Sequence, residues 1–240
     1  MIVIPMAGLS SRFFKAGFSK PKYMLSAHGV SLFEHSVLSF SKYFKSKKFI
    51  FIVRDVFDTP AFVKEKVAQL GIEDYEISIL NYETRGQAET VFIGMQRFSA
   101  YSGPITIFNI DTFRFNYQYP NFEKSSHGFL DVFEGNGTNW SFVLPKEAAS
   151  THVIKTTEKD PISNLCCTGL YHFDNYQDYV CAYNDYIRKP VTEWTNGELY
   201  IAPLYNHLIS MGYEINYSLI KRDDVIFCGT PDEYYAYLNS

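Results

Sequence analysis

The stretch MAGLSSRFFKAGFSKPKYML, residues 6–25, combines small residues with cations in the manner of an anion-binding loop. Gly8, with Ala7 and Leu9 beside it and Ser10 and Ser11 after it, lets backbone N–H groups come close to a charged ligand. Arg12 adds a forked donor and Lys22 a compact point charge. From Met1 to Phe33 the only charged side chains are Arg12, Lys15, Lys20 and Lys22, in a chain whose net charge is −4. A polyphosphate fits this chemistry, with a merely solvated basic loop as the alternative. Two common phosphate motifs are absent: Ser10 and Phe13 stand where GxGxxG needs its second and third glycines, and no GxxxxGK[ST] occurs.

The elements around this loop give it its place. MIVIPM reads as a buried strand running into the loop. After it, Ser31 and Glu34 have capping-box spacing ahead of Phe33, Val37, Phe40 and Phe44 on one helical face. Strands at 48–53, 75–80 and 104–110 then alternate with helices at 61–71 and 88–98, the fourth strand running into Asp111. Such alternation predicts an α/β fold with a doubly wound, mixed but mostly parallel sheet, whose ligands sit beyond the carboxyl ends of the strands. Beyond Asp111 the pattern gives strands at 138–145, 151–158, 164–173 and 213–220, and helices at 175–188, 198–210 and 231–238. One domain over 1–240 is expected, with 1–112 as its nucleotide-binding half and 113–240 as its acceptor-binding half.

Composition narrows the function classes. With 46% hydrophobic and 20% charged residues, this is a chain that folds. No nucleic-acid partner is expected. No apolar run reaches membrane-spanning length and no secretory leader pattern opens the chain, so no membrane association and a cytoplasmic location are expected. The four cysteines, Cys166, Cys167, Cys181 and Cys228, and the six histidines lack the spacing of a disulfide framework or a zinc site. Buried free thiols are the expectation.

Gly8-Leu9-Ser10-Ser11-Arg12 followed by Pro21-Lys22 resembles the signature loop of the nucleotidyltransferases that make sugar nucleotides and related activated compounds, on the fold shared with GT-A glycosyltransferases. ETRGQAETV (83–91) is similar to that family's base-recognition segment, and Asp111 to its magnesium-binding aspartate. EKDP (158–161) is similar to its acceptor-contacting Glu-Lys, and GTPDEY (229–234) to its C-terminal Gly-Thr-Pro. The resemblance implies transfer of a nucleoside monophosphate from a triphosphate to a phosphorylated acceptor, with loss of pyrophosphate. In it Ala7, Gly8, Leu9, Ser10 and Ser11 hold the nucleotide, and Gly86, Gln87 and Ala88 meet the base. Arg12 and Lys22 neutralise charge on the phosphates, Asp111 holds Mg²⁺, and Glu158 and Lys159 contact the acceptor. Glu198, at the start of ELYIAPLYNHLI, is a weaker acceptor candidate whose alternative is first-turn helix charge.

IPMAGLSSRF and ELYIAPLYN most resemble the branch found with bacterial capsule and surface-polysaccharide genes, which includes cytidylyltransferases acting on phosphoglutamine. CTP is favoured on that ground. Phosphocholine and sugar 1-phosphates are the other acceptors, with Trp140, Trp194 and Tyr200 as rings for a quaternary ammonium. One departure from the pattern stands out: Phe227 occupies the position where many members carry a second magnesium-binding aspartate, with Asp223 or Asp224 as possible substitutes. That keeps a non-catalytic nucleotide-binding subunit among the alternatives. The sequence Asp111-Thr112-Phe113, in place of a DxD motif, weighs against a glycosyltransferase.

Overall fold

The opening residues Ile2, Val3 and Ile4 are wholly buried, which a strand can achieve only when both of its faces are covered. In the computed structural model, which describes residues 1–122 and 126–240, they form β1 (Ile2–Pro5). β1 pairs in parallel with β4 (Phe49–Arg54), and β4 in parallel with β5 (Tyr75–Leu80). The fold is α/β with a mixed, mostly parallel central sheet, as the alternation of elements predicts. By internal contacts the chain divides into two compact units. Ile2–Glu83, Phe108–Gln118 and Asp223–Ser240 form the first, here the loop unit; Met1, Thr84–Ile107 and Tyr119–Arg222 form the second, the mixed-sheet unit.

In the loop unit, the residues after β1 turn into a short helix, α1 (Ser11–Lys15). A small hairpin of β2 (Ser26–Ala27) and β3 (Val30–Ser31) then leads to α2 (Leu32–Leu38), whose start carries the expected capping box between Ser31 and Glu34. The α-helix ends six residues short of Phe44. A 3₁₀ turn at Ser41–Tyr43 takes over, with Tyr43 N–H donating to the Phe40 carbonyl. Phe40 and Phe44 still reach the core, because the tighter turn keeps nearly the same spacing of faces. Phe40 packs edge-on to Phe108 at 5.0 Å, and Phe33 meets Phe51 at 5.4 Å.

α3 (Thr59–Leu70) follows β4 and stops at Gly71, whose φ of +73° closes the helix in the left-handed conformation. A two-stranded ribbon of β7 (Thr112–Arg114) and β13 (Val225–Phe227) and the C-terminal α7 (Pro231–Leu238) complete the unit. Phe13 of α1, Leu32, Phe113, Cys228 and Tyr234 of α7 share one apolar cluster. That cluster fixes the floor beneath the cationic loop.

The mixed-sheet unit contains residues 105–107 of β6 (Ile105–Phe108) beside β11 (Leu165–Phe173), joined by Thr106 Oγ1 and His172 Nδ1 at 2.9 Å. β11 is antiparallel to β8 (Ser126–Glu134) and to β9 (Ser141–Pro145); β9 is antiparallel to β10 (Val153–Glu158); β12 (Glu214–Ile220) is parallel to β8. Its helices are α4 (Gln87–Gly94), α5 (Tyr176–Tyr186) and α6 (Tyr205–Ser210). Phe173 of β11 stacks on Tyr205 of α6 at 4.4 Å, and the Tyr205 hydroxyl donates to the His172 carbonyl.

The helix expected over 198–210 is shorter than its sequence pattern. Residues Ala202–Leu204 form a 3₁₀ turn, α6 begins only at Tyr205, and Glu198 is extended at φ −111°, ψ 150°. Leu199 explains the difference: its N–H donates to the Arg85 carbonyl, and its own carbonyl accepts from Ala88 N–H. These two bonds hold the chain straight at residue 199, so Glu198 cannot serve as helix first-turn charge. Cys181 is exposed, unlike Cys166, Cys167 and Cys228.

Thr230 caps α7 through a reciprocal box with Glu233, and Tyr234 of α7 lies in the cluster under α1. Replacing Thr230 by Ala should lower stability by about 1 kcal/mol, the usual worth of such a cap. Urea denaturation checks it: the midpoint should fall with the slope unchanged, and an unmoved midpoint contradicts the capping assignment.

Candidate active site

At the centre of the loop unit, Lys22 Nζ lies 2.5 Å from Asp111 Oδ2. Both side chains are partly open to solvent, at 21% and 22% exposure, so the pair is accessible to a ligand. Ser10 links it to the opening loop: its Oγ accepts from Lys22 N–H at 3.2 Å, and Ser10 itself adopts φ +51°. From the other side, the Asp111 carbonyl accepts from Cys228 N–H at 2.8 Å, next to Gly229. A Cβ at Gly229 would come within 3.0 Å of Asp111 Oδ2 and 3.5 Å of Glu233 Oε2, so glycine here leaves room for two carboxylates. Burial, reinforced by Glu233 and Asp111, pushes the Cys228 thiol up to about 12, which keeps it a neutral core residue beside these charges.

Asp111 does not end a strand. β6 stops at Phe108, and Asp111 sits in the turn that precedes β7. Phe227 pairs with Thr112 in the β7–β13 ribbon, beside Asp111. The ribbon's register removes Asp223 and Asp224 as its substitutes, since the Asp224 carbonyl accepts from Phe115 N–H at the far end. At about 3.3 Å per residue this is roughly 13 Å along the chain from Asp111. Arg12 lies in α1 with its side chain exposed.

Ala7, Gly8, Leu9 and Ser11 line a cavity of about 430 Å³, together with Lys15, Tyr23, Arg54 and Phe57 among others. Arg12, Lys22 and Asp111 are not among its lining residues. The cationic loop therefore has two faces, one turned to the Lys22–Asp111 pair and one to this cavity. Sequence reasoning missed Arg54, Tyr23 and Phe57. The available signal was the position of Arg54 at the carboxyl end of an apolar parallel strand, where ligands of such sheets bind.

In the mixed-sheet unit, Gly86 has φ +144° and sits so close to the Leu199 backbone that a Cβ would approach its carbonyl oxygen to 2.5 Å. Ala88 is fully buried; its N–H donates to Leu199 and its carbonyl accepts from the Tyr179 hydroxyl. Both backbone groups of Ala88 are thus taken up within the unit, and Gln87 is half-buried at the start of α4. Arg85 grips Glu89 through its backbone N–H at 2.6 Å and its Nε at 2.9 Å, which fastens this segment to α4.

Glu158 ends β10, and Lys159 follows it. Glu158 is buried at 8% exposure and accepts from the Ser141 hydroxyl. Burial pushes its carboxyl up; Ser141 and Lys159 oppose that shift, while Glu198 adds to it. Lys159, at φ +58°, directs Nζ to the Tyr200 hydroxyl at 2.5 Å and over the Tyr200 ring at 4.7 Å from its centre. Three of the expected acceptor-side groups, Glu158, Lys159 and Glu198, are therefore neighbours, with Tyr200 added. Trp194 is buried, with the Arg85 guanidinium 5.5 Å from its ring centre, and Trp140 packs edge-on to Phe133. Trp194 is therefore not an open ring for a quaternary ammonium, whereas Trp140 is half-buried.

Among the described residues, no group of three or more His, Cys, Asp or Glu side chains is gathered for a metal, and no helix is long and apolar enough to cross a membrane. Mg²⁺ commonly takes only one or two carboxylates, with substrate phosphates and water completing its octahedron. The Asp111 carboxylate, with the space left at Gly229, fits that requirement.

No protein-family model and no curated protein sequence matches the chain. Among solved structures, the nucleoside-diphosphate-sugar pyrophosphorylase from Vibrio cholerae RC9 is 59% identical over 100% of each chain, with a TM-score of 0.96. UDP-glucose pyrophosphorylase complexed with UDP-glucose is 13% identical, covering 99% of this chain and 96% of its own, with a TM-score of 0.75. The inositol-1-phosphate CTP transferase from T. maritima is 14% identical, covering 99% and 94%, with a TM-score of 0.73. The last two share the fold.

A carboxyl whose folded pKa is raised holds its proton more tightly when folded. Its contribution to stability is full below the unfolded value and is lost as pH rises through the folded one. Glu158→Gln removes that dependence while keeping an acceptor for Ser141. The wild-type minus Glu158→Gln difference in unfolding free energy should therefore fall as pH rises from the ordinary glutamate value of 4.5 toward neutrality. Urea denaturation at a series of pH values measures it, and a flat or rising difference contradicts the buried, proton-holding environment.

Proposed function

The chain belongs to the nucleoside-diphosphate-sugar pyrophosphorylase family of nucleotidyltransferases, and we propose, from the resemblance of IPMAGLSSRF and ELYIAPLYN to capsule-associated members, that it moves the cytidylyl group of CTP onto a small phosphorylated acceptor in surface-polysaccharide biosynthesis. An oxygen of the acceptor phosphate attacks the α-phosphorus. The bond from that phosphorus to the oxygen bridging the α- and β-phosphates breaks, and pyrophosphate leaves with the bond's electrons. The protein supplies no covalent nucleophile; it positions the two reactants and neutralises charge.

The contact between Lys22 and Asp111 carries this reading. A lysine and an aspartate joined beside a cationic, glycine-containing loop are charges of opposite sign, and a triphosphate with its cation needs both. In the proposed reaction Lys22 leaves Asp111 for an oxygen of the α-phosphate, and Arg12 turns its exposed guanidinium to the departing pyrophosphate. The opening loop, Ala7 to Ser11, offers its amides to the phosphates. Asp111 would hold Mg²⁺, which when bound supplies a Lewis acid to the phosphate oxygens.

Gln87, at the start of α4, is assigned a nucleotide contact, with Gly86 giving it the close backbone turn it needs. Lys159 is assigned the acceptor's phosphate, a role supported by the grouping of Glu158, Glu198 and Tyr200 around it. Two acceptors have support. The 59%-identical relative is described as a sugar-nucleotide pyrophosphorylase, which favours a sugar 1-phosphate. The resemblance of IPMAGLSSRF and ELYIAPLYN to capsule-associated members favours phosphoglutamine.

Pyrophosphate release from each of four nucleoside triphosphates, against sugar 1-phosphates, phosphoglutamine and phosphocholine with Mg²⁺, tests the proposal. The expected result is turnover with CTP and one acceptor. In that assay Lys22→Met and Asp111→Asn should each lower kcat by about 10²-fold or more, the scale seen when one charge-stabilising contact is removed. Near-normal turnover in either variant, with folding intact, would remove the residue from the reaction. Tight triphosphate binding without pyrophosphate release would make the chain a nucleotide-binding subunit.

A further inference from the structure

We infer that Arg54 reads the base of the nucleotide and that its donors select cytosine over uracil and thymine, an inference that rests on the nucleotidyl-transfer reading above. Arg54 ends β4 and lines the cavity of about 430 Å³ on the far face of the opening loop. Its Nη1 is buried and has no hydrogen-bond partner among the described residues. Buried donors are ordinarily paired, and an unpaired one on a cation is costly. Of the other lining residues only Lys15 is charged, and no carboxylate is present to satisfy the guanidinium from within the cavity. The missing acceptor is one a ligand would bring.

The walls point to the flat end of a nucleotide. Phe14 and Phe57 stack at 5.3 Å with their planes 20° apart, and Met6, Pro21, Tyr23 and Val56 make most of the remaining surface apolar. The Tyr23 hydroxyl is already engaged with Thr59 at 2.9 Å, so Tyr23 offers the cavity its ring rather than a competing polar group. Phe57 and Asp58 both hold left-handed backbone, at φ +51° and +57°, a costly conformation for a large side chain. Thr59 pins this strained turn through its hydroxyl, which donates to the Val56 carbonyl at 2.5 Å. Strain of this sort persists where the surroundings enforce it, and here it sets an aromatic ring at the cavity rim.

The phosphates have their own place. Lys22 lies between the lining residues Pro21 and Tyr23, yet its side chain turns away from the cavity to Asp111. A nucleotide across the loop would therefore put its charge on one face and its base in the cavity. A guanidinium can only donate hydrogen bonds. Cytosine presents two adjacent acceptors, O2 and N3, to a forked donor. Uracil and thymine place an N3–H next to O2, setting donor against donor.

The test is a calorimetric titration of CTP, UTP, GTP and inorganic tripolyphosphate, each with Mg²⁺, into the wild type, Arg54→Met and Arg54→Lys. The wild type should bind CTP about tenfold more tightly than UTP, the discrimination of one forked pair. Both variants should bind CTP no better than the wild type binds UTP, while tripolyphosphate affinity stays unchanged. Arg54→Lys keeps the charge and the stem and carries the test alone if Arg54→Met does not fold. Three results would overturn the inference: a CTP preference that survives in the variants, equal wild-type affinity for CTP and UTP, or an equal loss of tripolyphosphate binding. A wild type that binds CTP and UTP alike leaves nucleotidyl transfer standing. One that binds no triphosphate at all overturns the proposed function as well.

Discussion

The contact between Lys22 and Asp111 joins parts of the loop unit that are far apart in sequence, and the local structure on either side of it makes sense as support. Ser10 accepts from Lys22 N–H in front; Cys228 donates to the Asp111 carbonyl behind. Below, Phe13 and Tyr234 share an apolar cluster with Cys228, so the loop's helix and the C-terminal helix rest on the same floor. At about a fifth exposure each, these charges are within reach of a ligand. Their arrangement is best understood as readiness for a ligand that takes both: an anion for the lysine and a hard cation for the aspartate.

The same loop separates two kinds of chemistry. On one face it presents charge in partial contact with water. On the other it walls an apolar cavity whose cation Arg54 has a buried, unpaired donor. A nucleotide has the same division, with hydrated phosphates at one end and a flat base with specific hydrogen-bonding edges at the other. In the mixed-sheet unit the polar groups are held differently. Glu158 is buried with a raised pKa, and Lys159 is fixed by left-handed backbone and by Tyr200. Groups fixed in this way lose less freedom when a small acceptor binds.

Much of this was legible in the sequence because local signals and tertiary structure agree. The strand at 75–80 and the helix at 231–238 have the bounds that their apolar pattern and Pro231 predict. The capping box at Ser31 and Glu34 is formed by both of its bonds. Where the reading failed, a nonlocal bond was the reason. The apolar spacing of ELYIAPLYNHLI suits a helix from residue 198, but Leu199 is drawn straight by Arg85 and Ala88. The ribbon of β7 and β13 is too short to produce an alternation pattern, and only its register shows that Asp223 and Asp224 lie too far from Asp111 to replace the aspartate absent at Phe227. β8 was not anticipated at all, since Gly128 and the buried Asp131 interrupt its apolar character. Arg54 gives no stronger signal: in sequence it is one more charge at the end of a strand, and only the fold shows its Nη1 buried and without a hydrogen-bond partner among the described residues.

The most direct measurement is a crystal structure of the protein with a non-hydrolysable α,β-methylene analogue of CTP and Mn²⁺, whose anomalous signal locates the cation without reference to the protein. The account predicts the triphosphate along the backbone of residues 7–12, Lys22 on the α-phosphate, and the manganese peak on the Asp111 carboxylate. A nucleotide bound away from that loop, or a manganese peak that does not touch Asp111, would contradict it.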